Sequence, residues 1–194
     1  MIVTLKKIFK KYFKIYDNKI PNNQINKINF KIIGDAHNVI IGDNTYIDDS
    51  VILDVSKGGK IVIGSDCHIL QGVIIASYGG DINIGSHCSF NAYCVIYGHG
   101  GLQIGDYVRI ATHSIIIPAN HIFDDPDLPI THQGLSMKGI IIGRDVWIGA
   151  SVKILDGVEI GNGAILAAGT VVNKSILPNT INAGVPVKLI KKRQ

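Results

Sequence analysis

The chain has 194 residues, of which 46% are hydrophobic, 18% charged and 7% aromatic, with 22 glycines and a formal net charge of +4. That length holds one domain with a sizeable core, and the modest charge gathers at the two ends of the chain, which argues against a nucleic-acid surface. No apolar run approaches the roughly 20 residues that span a bilayer, and the lysine-rich start lacks the apolar core and cleavage site of a secretory leader, so a cytoplasmic location is expected. Residues 2–16, IVTLKKIFKKYFKIY, space Ile2, Leu5, Ile8, Phe9, Tyr12, Phe13 and Tyr16 at three and four with lysines opposite, which predicts an amphipathic helix. This helix and a linker make up residues 1–30. Its stripe has two uses, covering the open end of the domain that follows or making peripheral contact with an anionic membrane surface.

Residues 31–194 form the main domain, and their pattern changes to a repeat. An Ile-Gly pair returns at 41, 63, 84, 104, 142 and 160, each opening a unit of six residues, and further hexads such as 90-FNAYCV, 110-IATHSI, 148-IGASVK and 154-ILDGVE fill the intervals. Position one is Ile, Leu or Phe, and position five is small or β-branched. From glycine to glycine the steps are 22, 21, 20, 38 and 18 residues. They exceed three hexads by 4, 3, 2, 20 and 0, so three hexads make one coil, with short corner insertions at 56-SKGG, 78-YGG and 98-GHGG and one long one. A two-residue strand cannot bury its own apolar edge. Coils must therefore stack through parallel backbone pairing, giving a three-faced prism. Cys67, Cys88 and Cys94 all fall at position five, where corner packing explains them better than reactivity.

The long insertion, residues 122–138, carries two prolines, three aspartates and the apolar Phe123, Leu128 and Ile130. An interruption above about 15 residues in a compact domain is usually functional. His121 stands at its root, as the sixth residue of the hexad 116-IIPANH, so the prism fixes its backbone while the insertion shapes the space above it. An imidazole there suits a general base. His113 faces outward one hexad earlier as a surface or supporting residue, and His132 lies on the insertion itself. Asp124 and Asp125 are read either as partners of His121 or of acceptor hydroxyls, or as a solvated acidic turn. Trp147, the sole tryptophan, sits at an outward hexad position and needs a covering partner: a neighbouring copy or an acceptor.

The tandem hexads together with VWIG at 146–149, AAGTVV at 167–172 and AGVP at 183–186 resemble the hexapeptide-repeat acyltransferase family. The resemblance implies a left-handed parallel β-helix assembled as a homotrimer, with acetyl-CoA as co-substrate in the groove between copies. It implies that His121, in the matching 120-NH-121, is the base. It gives the N–H of Ala150 to the oxyanion, Ala168, Asn173 and Lys174 to the acyl-CoA arm, and Lys188 and Lys191 to its phosphates, although a basic tail of 184-GVPVKLIKK is equally well solvated. Asn91 matches an acceptor-binding asparagine, in a sugar or glycan site with Asp124, Asp125 and Trp147. The pattern HIFDDPxxPI resembles bacterial polysaccharide O-acetyltransferases more than serine or UDP-sugar acetyltransferases, and an antibiotic O-acetyltransferase is the alternative. A zinc enzyme resembling the γ-class carbonic anhydrases is disfavoured, because the histidines flanking His121 lie 8 before and 11 after it rather than at ligand spacing. No metal is expected.

Overall fold

The computed structural model describes residues 29–193. The helix predicted over residues 2–16 lies outside them.

The domain is a parallel β-helix with three faces. The first face stacks seven strands from Lys31–Ile33 to Val171–Val172, the second stacks six from Val39–Ile41 to Glu159–Ile160, and the third stacks eight from Tyr46–Ile47 to the terminal Lys188–Lys192. Register follows the hexad arithmetic. On the second face Val39 pairs with Ile61, Ile61 with Ile82, Ile82 with Leu102 and Leu102 with Ile140, and Ile142 pairs with Ile160. These are the offsets of 22, 21, 20, 38 and 18 seen between glycines.

Position-one residues such as Ile63, Ile69, Phe90, Ile110 and Ile148 are fully buried in one column that fills the prism. Each such side chain contributes about 1.5–3 kcal/mol by leaving water. Position five closes the corners, and there the cysteines do more than fill space. Cys67, Cys88 and Cys94 each donate S–H at 3.2 Å to a carbonyl one coil on, those of Gly85, Gly105 and Ala111. Ser114 does the same with its hydroxyl to Gly149 at 2.9 Å, and Thr45 to Gly64 at 2.8 Å. Burial pushes the Cys94 thiol up to about 11, which keeps it protonated as a donor.

The three short insertions stack on the corner between the first and second faces. A β-carbon at Gly80 would collide with the carbonyl oxygen of His99, so this approach requires glycine. The long insertion leaves from the same corner one coil later. It is more ordered than an open loop: Asn120–His121 and Leu135–Ser136 form a short antiparallel ladder, and Ile130–His132 make a 3-10 turn. The basic tail is a strand as well. Lys188–Lys192 runs antiparallel to Thr180–Ala183, with an irregularity at Ile181/Asn182, and closes the third face. Arg193 fastens its end by pairing with Asp145 at 2.9 Å and donating to the Gly163 carbonyl at 3.1 Å.

Candidate functional site

The prism has three edges; the residues singled out from the sequence fall on two of them, apart from Trp147, Lys188 and Lys191, which lie on strands of the third face. Where the third face turns into the first, position three of successive hexads is Ala92, Thr112, Ala150 and Ala168; we call this the alanine edge. Where the first face turns into the second lie the stacked insertions and the long excursion, the insertion edge. The remaining edge, between the second and third faces, carries Ser65, Ser86, Asp106, Arg144 and Asn162 at position three.

On the alanine edge, coil stacking uses the carbonyls and leaves donors over. The Gly169 N–H donates to the Ala150 carbonyl at 2.8 Å and the Ser151 N–H to the Thr112 carbonyl at 2.9 Å. The N–H groups of Ala92, Thr112, Ala150 and Ala168 have no acceptor among the described residues. The reason is compositional: the methyl groups offer none, and Thr112 turns its hydroxyl to the Ala92 carbonyl at 2.7 Å. A row of outward N–H groups, spaced one coil apart at about 4.8 Å, can meet a chain of carbonyls or a developing oxyanion. Asn91 shares this edge, and its amide donates to the Ile110 carbonyl at 3.0 Å. Beside it the Tyr93 ring stacks on His113, centroids 5.6 Å apart and nearly parallel. Trp147 begins the third-face strand between Arg109 and Ile165 and is 55% exposed.

On the insertion edge, His121 pairs with Leu135 across the two-residue ladder, and its ring is exposed with no hydrogen bond among the described residues. Asp124 and Asp125 are not bonded to it. Asp125 instead accepts the N–H of Asp127 at 2.9 Å, and Gln133 ties the tip together by accepting the Asp125 N–H at 3.0 Å and donating to the Asp125 and Leu128 carbonyls at 2.8 and 2.9 Å. Asn173 and Lys174 follow the last first-face strand and so lie on this same edge, exposed, two coils beyond the excursion. Lys188 and Lys191 are exposed on the terminal strand of the third face.

Sequence reasoning passed over several residues. Asp156 accepts three hydrogen bonds from the returning limb of the excursion. Tyr78, Tyr97 and His99 form an aromatic cluster on the insertion edge, with Tyr78 and His99 stacked at 4.8 Å and Tyr97 edge-on to both. Positive φ at Tyr78 and His99 places them at turn positions where the sequence offers Gly as the only obvious signal. The shallow cleft lined by Tyr107, Arg144, Asp145 and Asn162 lies on the remaining edge and holds none of the expected site residues. Among the described residues no three His, Cys, Asp or Glu side chains converge as a metal site would require.

A solenoid of hexads with an imidazole on one corner excursion and open amides on another edge defines a class, and comparison with known proteins agrees. The bacterial transferase hexapeptide (six repeats) model matches residues 139–174. A Saccharomyces cerevisiae protein provisionally named an acetyltransferase is 37% identical over 145 residues, 72% of this chain and 72% of that protein. The chain belongs to the hexapeptide-repeat transferase family. The dTDP-4-amino-4,6-dideoxy-D-glucose acyltransferase of Escherichia coli is 26% identical over 187 residues, covering 88% of this chain and 86% of the relative. A mutant of AntD, an N-acyltransferase from Bacillus cereus solved with dTDP and coenzyme A, superposes with a TM-score of 0.70 at 27% identity over 89% of each chain. The chain spans 31% and 61% of the length of the first two curated relatives it matches.

Proposed function

We propose that the protein transfers an acetyl group from acetyl-CoA to a hydroxyl or amine of a sugar or glycan precursor, within a homotrimer whose sites form where the alanine edge of one copy meets the insertion edge of the next. The observation that carries this reading is the separation of His121 from Ala150 within one chain. They stand on different edges, with the first-face strand Ile115–Ile116 and its flanking residues between them. At about 3.3 Å per residue that path is about 15 Å, beyond hydrogen-bond reach. A second copy brings the two edges together. Asn173 and Lys174, on the insertion edge, then face the Ala150 and Ala168 amides across the same groove. The relative named as an acyltransferase of a nucleotide sugar and the dTDP and coenzyme A held by AntD support the substrate class.

His121 accepts the proton of the acceptor hydroxyl or amine as its oxygen or nitrogen attacks the acetyl carbonyl. The Ala150 N–H is a fixed donor for the charge that develops on the carbonyl oxygen, and it needs no reorganisation to act. The carbon–sulfur bond breaks, and the imidazolium returns its proton to the departing thiolate. Acetyl-CoA supplies the activated thioester; Ala168, Asn173 and Lys174 hold its amide-bearing arm, and Lys188 and Lys191 are cations for its phosphates. The buried thiols are not used, so no acyl-enzyme forms. Asn91, on the alanine edge, Trp147, on the third face, and Asp124 and Asp125, on the excursion, face the acceptor.

The test is acetyl-CoA turnover against a panel of sugars, nucleotide sugars, glycans and macrolide or chloramphenicol antibiotics, with His121→Ala as control. On a sugar acceptor the variant should lose about 10²–10⁴-fold in kcat while coenzyme A binding is kept. Wild-type turnover in His121→Ala would remove the base assignment, and turnover confined to antibiotics would replace the acceptor class.

A further inference from the structure

The excursion that carries His121 is joined to the prism by one side chain. Its outgoing limb rests on backbone alone, with the Gly100 N–H donating to the Pro118 carbonyl at 3.2 Å. Its returning limb meets Asp156, position three of the next coil. One carboxylate oxygen of Asp156 accepts the N–H groups of Lys138 at 2.8 Å and Gly139 at 3.1 Å, and the other accepts the Ser136 hydroxyl at 2.9 Å. No other side-chain hydrogen bond links residues 120–138 to the rest of the described chain. Ser136 is in turn the ladder partner of Asn120, and the only other rung is His121 with Leu135.

We propose that Asp156 is the positioning residue for His121: its carboxylate holds the returning strand, the returning strand holds the two-rung ladder, and the ladder fixes where the imidazole stands. This deepens the general-base reading above and rests on it. Three donors converge on the two carboxylate oxygens, both amides on one and the hydroxyl on the other. Asparagine would conserve this clamp, its oxygen taking both amides and its NH₂ group donating to Ser136 Oγ, which accepts as well as donates, whereas Asp156→Ala removes all three bonds. A two-rung ladder has little stability of its own. Released from Asp156, it opens, and a base displaced by about 1 Å costs up to about a hundredfold in rate.

The experiment uses the intact chain and five proteins: wild type, Asp156→Ala, Ser136→Ala, His121→Ala and the double variant Asp156→Ala/His121→Ala. Hydrogen exchange at the Ile122 amide, which donates to the Gly134 carbonyl at 3.1 Å, reports the ladder whatever the chemistry. We expect exchange there to speed about tenfold or more in Asp156→Ala and less in Ser136→Ala, with coenzyme A binding unchanged in both. In the same order kcat should fall, by about tenfold to a hundredfold for Asp156→Ala, with the KM for acetyl-CoA within about twofold. In the His121→Ala background Asp156→Ala should cost nothing further, because it acts only through the imidazole. Unchanged exchange at Ile122, or an undiminished kcat loss in the His121→Ala background, would overturn the proposal. Failure of the base reading has a different signature: His121→Ala alone would keep wild-type turnover while the exchange result stood.

Discussion

Two edges of the prism use the same six-residue unit and treat its backbone in opposite ways. On the edge between the second and third faces the N–H at position three is capped by the side chain one coil on: Ser65 by Ser86 Oγ at 3.1 Å, Ser86 by Asp106 Oδ1 at 2.7 Å and Arg144 by Asn162 Oδ1 at 2.9 Å. On the alanine edge the equivalent N–H groups of Ala92 and Ala150 face methyl or hydroxyl groups that do not accept from them. Both are half-buried and reached by solvent, so water satisfies the open donors when nothing else does and the uncapped edge carries no large desolvation penalty. A solenoid can therefore keep a row of donors available for a ligand by choosing alanine at one position per coil. The choice of side chain at position three, rather than any change in backbone path, separates a capped edge from an open one.

That contrast can be broken by exchanging the caps. Ala168→Asp puts a carboxylate where it meets the Ala150 N–H, as Asp106 meets Ser86. Turnover should fall about a hundredfold, the loss expected for one oxyanion donor, with a thermal midpoint equal to or above that of wild type; steady-state kinetics and a melting curve check both. Asp106→Ala does the reverse on the structural edge. It should lower stability by about 1 kcal/mol in urea titration and leave turnover untouched. Smaller still, Cys94→Ala removes one thiol-to-carbonyl bond. A loss of about 1 kcal/mol or less is expected with full activity, and an inactive but stable variant would point to a thiol nucleophile.

The smallest effect is one of pH. Partial burial of the His99 ring holds its pKa below the ordinary 6.5. The folded chain then binds fewer protons than the unfolded chain between that lowered value and 6.5, so this contribution to stability is whole above about 6.5 and is lost as the pH falls through the window. The urea midpoint of wild type should drop between pH 7.5 and 5.5, and that of His99→Gln should drop less.

Much of this architecture was legible because a solenoid repeats its burial pattern at fixed intervals. Ile63, Ile84, Ile104 and Ile142 announce the register, and the glycine steps gave the pairing offsets before any strand was seen. His121 was legible as the residue where the rhythm stops. What stayed hidden depends on contacts between coils, about twenty residues apart and set by side-chain direction rather than pattern. The Ser86 and Asp106 caps read as ordinary turn residues. Asp156 looked like another of them, although it meets Ser136 from twenty residues away. The terminal KLIKK read as a tail because lysines on both sides of a strand erase alternation; its antiparallel pairing with Thr180–Ala183 comes from the open edge it covers. Asp125 reads from the sequence either as a partner of His121 or as part of an acidic turn; one of its carboxylate oxygens accepts the Asp127 N–H, and Gln133 holds its backbone.

The proposed site is assembled from two edges that one chain holds apart, and mixing two inactive proteins tests this directly. His121→Ala spoils only the insertion edge and Ala168→Asp only the alanine edge, so co-expressed in equal amounts and purified as mixed oligomers they should recover about a quarter of the wild-type rate, the random chance that a shared interface pairs one intact edge of each kind. Mixed oligomers as inactive as their parents would mean that each site is built within a single chain, and the shared groove would have to be abandoned.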